Sequence, residues 1–235
     1  MGRTRRSWPG HRRRHAVGWV LSYPYAYEVV TEIWFGGRRA RVWDRLVGLS
    51  GAAPGERVLD VGCGTGYFAR RIAGAVGREG SVVGIDPSQS MLDYASQHAP
   101  ANCTFVVAGA EDLPFADHSF DVVVSSLSFH HFPAEHRGEA VREMFRVLRP
   151  GGRLLVADLR PSAGGAVHRI VSLFSAHAKE QEAVGQLADL VVESGFSLRS
   201  SGEFSRLHYI SARRPDLGQS GDRSARGGVA QGLKR

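Results

Sequence analysis

Short segments of apolar, β-branched residues alternate with segments of helical periodicity from residue 57 onward. This alternation is typical of a parallel β-sheet whose strands are joined by crossover helices. Two further apolar segments close the chain after a pair of amphipathic helices. The pattern predicts a doubly wound α/β fold with a mostly parallel, seven-stranded sheet, its strands at residues 57–61, 81–85, 104–107, 120–125, 154–157, 197–201 and 207–212.

Local signals indicate where several helices begin and end. Ser88 is expected to cap the N-terminus of a helix, because a hydroxyl there can accept a hydrogen bond from the first turn. The inner face of that helix carries Met91, Leu92 and Ala95. A later helix is expected to end at the turn R-P-G-G. Apolar periodicity predicts two more helices, around residues 166–175 and 184–191.

Aromatic side chains are concentrated before the first strand. Residues 16–43 hold seven of them in 28 positions, against 9% in the whole chain. So many large apolar side chains must be covered or must cover something. We expect residues 16–50 to form a helical cap, with Trp34 and Trp43 packing it onto the sheet. The candidates for lining a substrate pocket are Tyr23, Tyr25 and Tyr27.

The net charge of +7 comes from the two ends of the 235-residue chain. Residues 1–15 carry six Arg and no acid, and residues 213–235 carry six Lys or Arg against two Asp. The middle has 18 basic and 21 acidic residues, as expected of a small-molecule enzyme without a nucleic-acid surface. We therefore expect a domain at residues 16–213 between a disordered basic arm at 1–15 and a disordered tail at 214–235.

Composition excludes several classes of protein. No apolar run approaches the roughly 20 residues of a membrane-spanning helix. The two cysteines, Cys63 and Cys103, lie far apart, which argues against a disulfide scaffold and against a metal site. A cytoplasmic enzyme without a metal fits these observations, and the sequence leaves its oligomeric state open.

The strongest chemical motif is the segment D-V-G-C-G-T-G at residues 60–66, where a strand runs into three alternate glycines and then a helix. Glycine permits a tight turn and lets the backbone approach a ligand closely. The spacing differs from the dinucleotide motif G-x-G-x-x-G, and Asp60 precedes it. A carboxylate there repels a pyrophosphate and favours a ligand that carries a positive charge.

A second carboxylate, Asp86, ends the next predicted strand, 20 residues after Gly66. At that position it can accept hydrogen bonds from both hydroxyls of a ribose. It could instead only cap the helix that follows. The two motifs together are more specific than either one alone.

These motifs, followed by G-A-E-D-L-P-F, F-D-V-V-V-S-S-L-S-F-H-H-F and R-V-L-R-P-G-G-R-L-L-V-A-D, resemble the successive motifs of class I S-adenosylmethionine-dependent methyltransferases. The similarity covers residues 42–213 and is greatest to the branch that contains the ubiquinone and menaquinone C-methyltransferases. Tyr27 and Glu28 resemble part of the N-terminal pattern of the quinone enzymes, at a different spacing. The resemblance implies a Rossmann-like sheet with an antiparallel last strand and S-adenosylmethionine as cofactor. The aromatic N-terminal segment and the helix predicted at residues 166–175 would cover the site, which favours a small apolar or aromatic acceptor.

The resemblance also implies roles for individual residues. Asp60 and the backbone of the glycine loop would hold the methionyl end, and Asp86 the ribose. Pro87 and Met91 would wall the adenosyl group. Gly109 stands where the family often has Asp, so Glu111 or backbone would replace that contact to adenine. The full set of expected cofactor-binding residues is Asp60, Gly62, Cys63, Gly64, Gly66, Asp86, Pro87, Met91, Ala110, Glu111 and Ser126.

Two adjacent histidines follow the fourth predicted strand, where the acceptor would arrive. An imidazole can remove a proton near neutral pH. We expect His131 to act as the base and His130 to matter less, because adjacent side chains at a strand end point apart. Packing is the alternative role for both. A nicotinamide-dependent oxidoreductase, a nucleic-acid methyltransferase that uses the basic ends, and an inert binding protein remain as alternative functions.

Overall fold

The computed structural model describes residues 23–159 and 180–216. Helices and strands alternate along most of this chain, and seven strands form one sheet. The helices are α1 Pro24–Trp34, α2 Arg39–Ser50, α3 Tyr67–Val76, α4 Gln89–Gln97, α5 Arg137–Val147 and α6 Glu180–Glu193. The strands are β1 Arg57–Val61, β2 Ser81–Asp86, β3 Cys103–Val107, β4 Phe120–Ser126, β5 Leu148–Leu159, β6 Ser197–Phe204 and β7 Leu207–Arg213.

The strand order is β3-β2-β1-β4-β5-β7-β6, so the chain starts in the middle of the sheet and winds outward in both directions. Strands β1 to β5 pair in parallel, and β7 is antiparallel to both β5 and β6. The predicted α/β class, the seven strands and the antiparallel last strand are confirmed. Because β1, β2, β4 and β5 are parallel, their carboxyl ends meet at one edge of the sheet.

Strand β5 is longer than predicted. The R-P-G-G segment does not form a separate turn before it, because pairing with β4 already begins at Leu148. The register then shifts, and regular pairing resumes at Arg153. The irregularity accommodates Pro150, which cannot donate a ladder hydrogen bond.

Both faces of the sheet are covered. One core cluster packs α5 and α6 against the sheet through residues such as Met144 and Leu187. The other packs α2 and α3 on the opposite face through Trp43, Leu46 and Ile72. Trp43 is buried and Trp34 packs against the same cluster, as predicted for both.

The expected helix cap is confirmed at Ser88, whose hydroxyl accepts a hydrogen bond from the Met91 amide.

The predicted helix around residues 166–175 lies outside the described residues. The arm and tail also remain predictions, but described structure continues to Asp216. Arg214 is firmly held: its guanidinium donates to the carbonyls of Phe145 and Leu148, both at 2.7 Å.

None of the helices within residues 23–159 and 180–216 is both long enough and apolar enough to cross a membrane.

A close approach joins the loop after β1 to the loop after β4. Gly62 has a φ of +71°, and a Cβ placed on it would lie 2.4 Å from the Cβ of Ser128. The Ser128 hydroxyl donates to the Val61 carbonyl at 3.1 Å and contacts the Ser125 hydroxyl at 2.7 Å. Only glycine satisfies both the backbone conformation and the space at residue 62.

We expect Gly62→Ala to lower the free energy of unfolding more than Gly37→Ala does. Gly37 has nearly the same φ, +70°, but a Cβ there would meet nothing within 4 Å. In both variants an alanine must adopt a left-handed backbone conformation, which lowers the stability of each by a similar amount. Only Gly62→Ala must also displace Ser128, which lowers the stability by about 1–3 kcal/mol more. Urea unfolding of the two variants measures the difference, and equal losses would contradict the close packing.

Candidate active site

The carboxyl edge of the sheet gathers the predicted site residues. Asp60 lies in β1, Asp86 ends β2, and Ser126 ends β4. Asp158, which was not among the predicted site residues, lies near the end of β5. The glycine loop follows β1, and Gly62, Gly64 and Gly66 all have positive φ. Three left-handed residues in five positions let the chain turn sharply from β1 into α3, which no other residue type would allow without strain.

The glycine loop has one open side. A Cβ on Gly62 would strike Ser128, and one on Gly66 would lie 2.7 Å from the Phe105 ring. A Cβ on Gly64 would meet nothing within 4 Å. Gly64 therefore presents bare backbone to open space, the surface against which a ligand can lie closely.

Asp60 is a buried carboxylate without a compensating charge. Its side chain is 1% exposed, and neither oxygen has a hydrogen-bond partner among the described residues. Burial raises the pKa of Asp60 to about 8, and Asp86 raises it further. The Ala69 backbone amide opposes the rise in part, although it does not reach hydrogen-bonding geometry with either oxygen. An unsatisfied buried carboxyl is costly, and a cation placed beside it would relieve that cost.

Asp86 connects the glycine loop to the start of α4. Its Oδ2 accepts from the Gly64 amide and its Oδ1 from the Ser88 amide, both at 2.9 Å. Burial raises the pKa of Asp86, and these two hydrogen bonds oppose the rise. The bond to Ser88 means that Asp86 supports the turn before α4, as expected if it caps that helix. The bond to Gly64 means that Asp86 also lies directly at the glycine loop. Each carboxylate oxygen can accept more than one hydrogen bond, so the present bonds leave capacity for a ligand.

The residues expected around an adenine group lie beyond β2 and β3. Pro87 is exposed at the turn after β2, while Met91 and Ala110 are buried. Glu111 folds back over Gly109, since a Cβ on Gly109 would lie 2.5 Å from both carboxylate oxygens of Glu111. Glu111 therefore places a carboxylate beside residue 109, where the family often has Asp.

Cys63 is directed away from the open side of the loop. Its amide donates to the Ile85 carbonyl at 2.8 Å, and its sulfur packs against Gly84. Burial raises the pKa of the Cys63 thiol well above its ordinary value. Cys63 was expected to bind the cofactor. Its contacts instead attach the glycine loop to β2, and its side chain packs against that strand.

The site contains a buried histidine–aspartate pair that sequence reasoning missed. Nδ1 of His130 lies 2.6 Å from Oδ1 of Asp158, and the His130 amide donates to Oδ2 at 2.9 Å. Burial alone would raise the pKa of Asp158, but the charge and hydrogen bonds of His130 bring it below its ordinary value. The only sequence signal for this pair was an acidic residue at the end of the fifth predicted strand.

The expectation that the two histidines point apart is wrong. Phe129–His131 form a turn of 3-10 helix, so successive side chains do not alternate as they would in a strand. The rings of His130 and His131 lie against each other, with centroids 3.9 Å apart. The two imidazoles therefore form one unit, and the carboxylate contact belongs to His130 and not to His131.

The three tyrosines at the start of the cap differ in exposure: Tyr27 is half-buried in α1, whereas Tyr23 and Tyr25 are exposed. Removal from water raises the pKa of Tyr27 to about 12, Arg39 opposes the rise, and the carboxylates of Glu28, Asp86 and Asp158 add to it. Tyr23 was expected to line the pocket, but it is 77% exposed just before α1. Tyr25 is also exposed and packs its ring edge-on against Tyr94.

Glu28 ties the cap to the glycine loop. Its two carboxylate oxygens accept from the Arg39 guanidinium at 2.6 and 3.1 Å, and one also accepts from the Thr65 hydroxyl. Arg39 is buried, with its guanidinium 3.7 Å from the centroid of the Tyr67 ring. This network fixes α1 above the loop, and it places Tyr27 and Glu28 on adjacent parts of the site.

No group of three or more His, Cys, Asp or Glu residues that could hold a metal ion occurs in the described part of the chain.

Comparison with known proteins identifies close relatives. A family model described as a methyltransferase domain matches residues 58–152. The ubiquinone/menaquinone biosynthesis C-methyltransferase UbiE of Vibrio vulnificus is 33% identical over 188 residues, which cover 77% of this chain and 69% of the relative. The match thus extends well beyond the glycine loop.

Solved structures share the fold at lower sequence identity. A S-adenosylmethionine-dependent methyltransferase from Aquifex aeolicus matches with a TM-score of 0.64 and 18% identity, covering 81% of this chain and 98% of that one. The [4+2]-cyclase SpnF matches with a TM-score of 0.61 and 22% identity, covering 75% and 80%. Since one of these two is described as a cyclase, the fold alone does not specify the reaction.

We expect Asp60→Asn to change how the stability of the ligand-free protein depends on pH. A folded-state pKa raised to about 8 means that the native protein keeps a proton which the unfolded chain releases above about pH 4. Stability is therefore lost as pH rises through this window, by at most about 1.4 kcal/mol per pH unit.

Asparagine has no proton to lose, so the free energy of unfolding of the variant should not fall in this way. The stability of Asp60→Asn relative to the wild type should therefore increase steadily from pH 5 to pH 8. Urea unfolding at several pH values measures the two slopes. Parallel slopes would show that Asp60 is not held protonated in the fold.

Proposed function

Since the chain belongs to the class I S-adenosylmethionine-dependent methyltransferases, we propose that it methylates a small apolar or aromatic acceptor whose proton a histidine pair removes. Family membership makes the chain a methyltransferase and S-adenosylmethionine its cofactor. It decides against the nicotinamide-dependent oxidoreductase that the fold alone left open. The acceptor and the roles of individual residues are the proposal.

The observation that carries the proposal is the buried, unpaired Asp60 beside the open backbone of Gly64. The cofactor bears positive charge at its ammonium and sulfonium groups. A buried carboxyl group without a partner can lose its proton beside such a ligand and then compensate that charge. A dinucleotide would instead bring a pyrophosphate next to Asp60 and Asp86.

The other proposed contacts to the cofactor follow from where each residue lies along the carboxyl ends of the strands. Asp86 would accept the ribose hydroxyls, Pro87 and Met91 would wall the adenosyl group, and Ala110 and Glu111 would border the adenine. The Glu111 carboxylate that folds over Gly109 supports its use for the adenine amine. Ser126 and the backbone of Gly62, Gly64 and Gly66 would lie along the methionyl end.

The bound cofactor supplies a methyl group that is already activated by its sulfonium. The protein therefore has to place the acceptor in line with that methyl, exclude water, and take up a proton from an acceptor that must lose one. Asp158 holds Nδ1 of His130, so Nε2 lies on the other side of the ring and is the atom that would take the proton. His131 would pack against that imidazole and shape the acceptor pocket together with Tyr27.

The carboxylate contact leads us to give His130 the role that the sequence suggested for His131. A buried carboxylate fixes the tautomer and orientation of an imidazole and stabilises its protonated form. The V. vulnificus relative is named for ubiquinone and menaquinone biosynthesis. Aromatic precursors of quinones, whose ring hydroxyls and carbons lose protons, are therefore the first acceptors to screen by transfer of labelled methyl groups.

We expect Asp86→Ala to weaken S-adenosylmethionine binding by about 1.5–3 kcal/mol, because charge-assisted hydrogen bonds to the ribose would be lost. Isothermal calorimetry measures the affinity, with NAD as the comparison ligand and Asp93→Ala, on the exposed side of α4, as the control variant. Unchanged affinity in a folded Asp86→Ala protein would leave Asp86 with its helix-capping role alone. Tight binding of NAD without any response to S-adenosylmethionine would contradict the assignment of the site.

We expect His130→Ala to lower kcat by about 10² to 10⁴ with little effect on cofactor affinity. Asp158→Asn should lower kcat as well and alter its pH profile, since it removes the charge that stabilises a protonated imidazole. The measurement uses an acceptor found in the screen. His136→Ala is the control, because that imidazole pairs with Glu139 on the surface.

Equal losses in His130→Ala and His131→Ala would indicate that the shape of the turn matters more than one imidazole. A loss confined to His131→Ala would restore the assignment that the sequence suggested. Normal kcat in a folded His130→Ala protein would show that the histidine–aspartate pair is structural.

A further inference from the structure

Helix α1 is attached to the rest of the domain by few side chains. Among its residues, Pro24–Trp34, all of which the structure describes, Thr31 alone is buried. The large side chains of Tyr25, Val29 and Ile33 are between 59% and 74% exposed. A helix that buries so little apolar surface gains little stability from packing, so its position depends on a small number of specific contacts.

These contacts are spread along the carboxyl edge of the sheet. Near the start of α1, the Tyr25 ring meets the Tyr94 ring of α4 edge-on. At the end of α1, the Trp34 ring lies 4.9 Å from the guanidinium of Arg206, in the turn between β6 and β7. Between these two points, Glu28 bonds to the glycine loop that follows β1. Helix α1 therefore crosses the candidate site, and Glu28 is its contact in the middle.

Glu28 links three segments of the chain through one carboxylate. Its Oε1 accepts from the Thr65 hydroxyl of the glycine loop, and its two oxygens accept from the guanidinium of Arg39 at the start of α2. The side chains of Arg39 and Glu28 are 2% and 19% exposed, and Thr65 is 1% exposed. Hydrogen bonds to a charged group are stronger than neutral ones, and this group is largely shielded from water. The Glu28 carboxylate therefore sets the position of α1 relative to the glycine loop.

Thr65 connects this carboxylate to the part of the loop that faces a ligand. It stands between Gly64, whose backbone is open, and Gly66, which packs against a ring of β3. The Thr65 carbonyl accepts from the Arg70 guanidinium at 2.6 Å, while the Gly64 amide donates to Asp86. Residue 65 is thus held by its side chain from α1 and by its backbone from α3. A change in the Thr65 hydroxyl bond would act directly on the backbone at Gly64.

We propose that Glu28 is a positioning residue for the cofactor: through the Thr65 hydroxyl it holds α1 and the glycine loop in the arrangement that S-adenosylmethionine binds. A helix and a loop that are held together lose less conformational freedom when a ligand binds, which increases the affinity. The inference rests on the proposed placement of the cofactor beside Gly64.

Two other roles for these residues predict different behaviour. If Glu28 only neutralises the buried Arg39, its loss lowers the free energy of unfolding but leaves the cofactor affinity of the folded protein unchanged. If the Thr65 hydroxyl binds the cofactor directly, its contribution to affinity does not depend on Glu28. Variants at both residues separate these roles from positioning.

The first test is calorimetry of S-adenosylmethionine with the full chain and its Thr65→Val and Thr65→Ser variants. Valine keeps the shape of threonine but removes the hydroxyl, so we expect the affinity to fall by roughly tenfold. Serine keeps the hydroxyl and should bind the cofactor like the wild type. Both variants leave the ion pair of Glu28 with Arg39 in place, and urea unfolding measures their stability.

The second test is a double-mutant cycle between Glu28→Ala and Thr65→Val. We expect Glu28→Ala alone to weaken cofactor binding by roughly tenfold or more. Adding Thr65→Val to it should then change the affinity by less than about twofold, because the bond between the two residues is already absent. Glu32→Ala is the matched control, one turn later on the exposed side of α1, and should bind like the wild type. If Glu28→Ala does not fold because Arg39 is left unpaired, the two Thr65 variants decide the question alone.

Three results would overturn the proposal. Equal affinities of Thr65→Val and Thr65→Ser would show that the hydroxyl bond does not matter for binding. A full additional loss from Thr65→Val in the Glu28→Ala background would assign the hydroxyl to a direct contact with the cofactor. Tighter binding by Glu28→Ala would mean that α1 obstructs the site.

Asp86→Ala in the same titrations separates this inference from the proposed function. If Asp86→Ala weakens binding while the Glu28 and Thr65 variants bind like the wild type, the cofactor placement stands and the positioning role is wrong. If none of these variants changes the affinity, the placement of the cofactor is wrong as well.

Discussion

The contact between Gly62 and Ser128 holds the two halves of the site against each other. On one side is the loop that exposes bare backbone at Gly64, and on the other is the turn that carries the histidine pair. The Ser128 hydroxyl bonds to the end of β1, so a shift of either loop would disturb the other. The separation between the glycine loop and the histidine pair is therefore set largely by packing between these two loops.

Three aspartates share that edge in different electrostatic states. Asp158 is paired and stays charged, Asp86 is bonded to two backbone amides, and Asp60 has no partner and holds its proton at neutral pH. The differences come from neighbours and not from residue type, since burial acts to raise the pKa of all three. Among these three aspartates, Asp60 alone lacks a compensating group, and it lies beside the glycine loop, where a positively charged ligand could satisfy it.

Much of the fold and the placement of the glycine loop beside Asp86 could be predicted from the sequence because both depend on local signals. The strands follow from apolar periodicity, and the glycine loop follows from spacing within one βα unit. The His130–Asp158 pair could not be predicted in this way, since it depends on the register between β4 and β5. The exposure of Tyr23 and the contact between the His130 and His131 rings were not predicted for a related reason: side-chain direction depends on whether the local backbone is helical, extended or in a 3-10 turn.

The two ends of the described chain leave the sheet from opposite edges. Helix α1 lies over the carboxyl edge, whereas Arg214 is fixed at the other edge by main-chain hydrogen bonds to Gly151 and Gly152. The strongly basic N-terminal segment therefore joins the domain on the side of the site, and the C-terminal segment joins it at the base. An affinity tag or fluorescent label is consequently better attached to the C-terminal segment, which joins the domain on the side away from the candidate site.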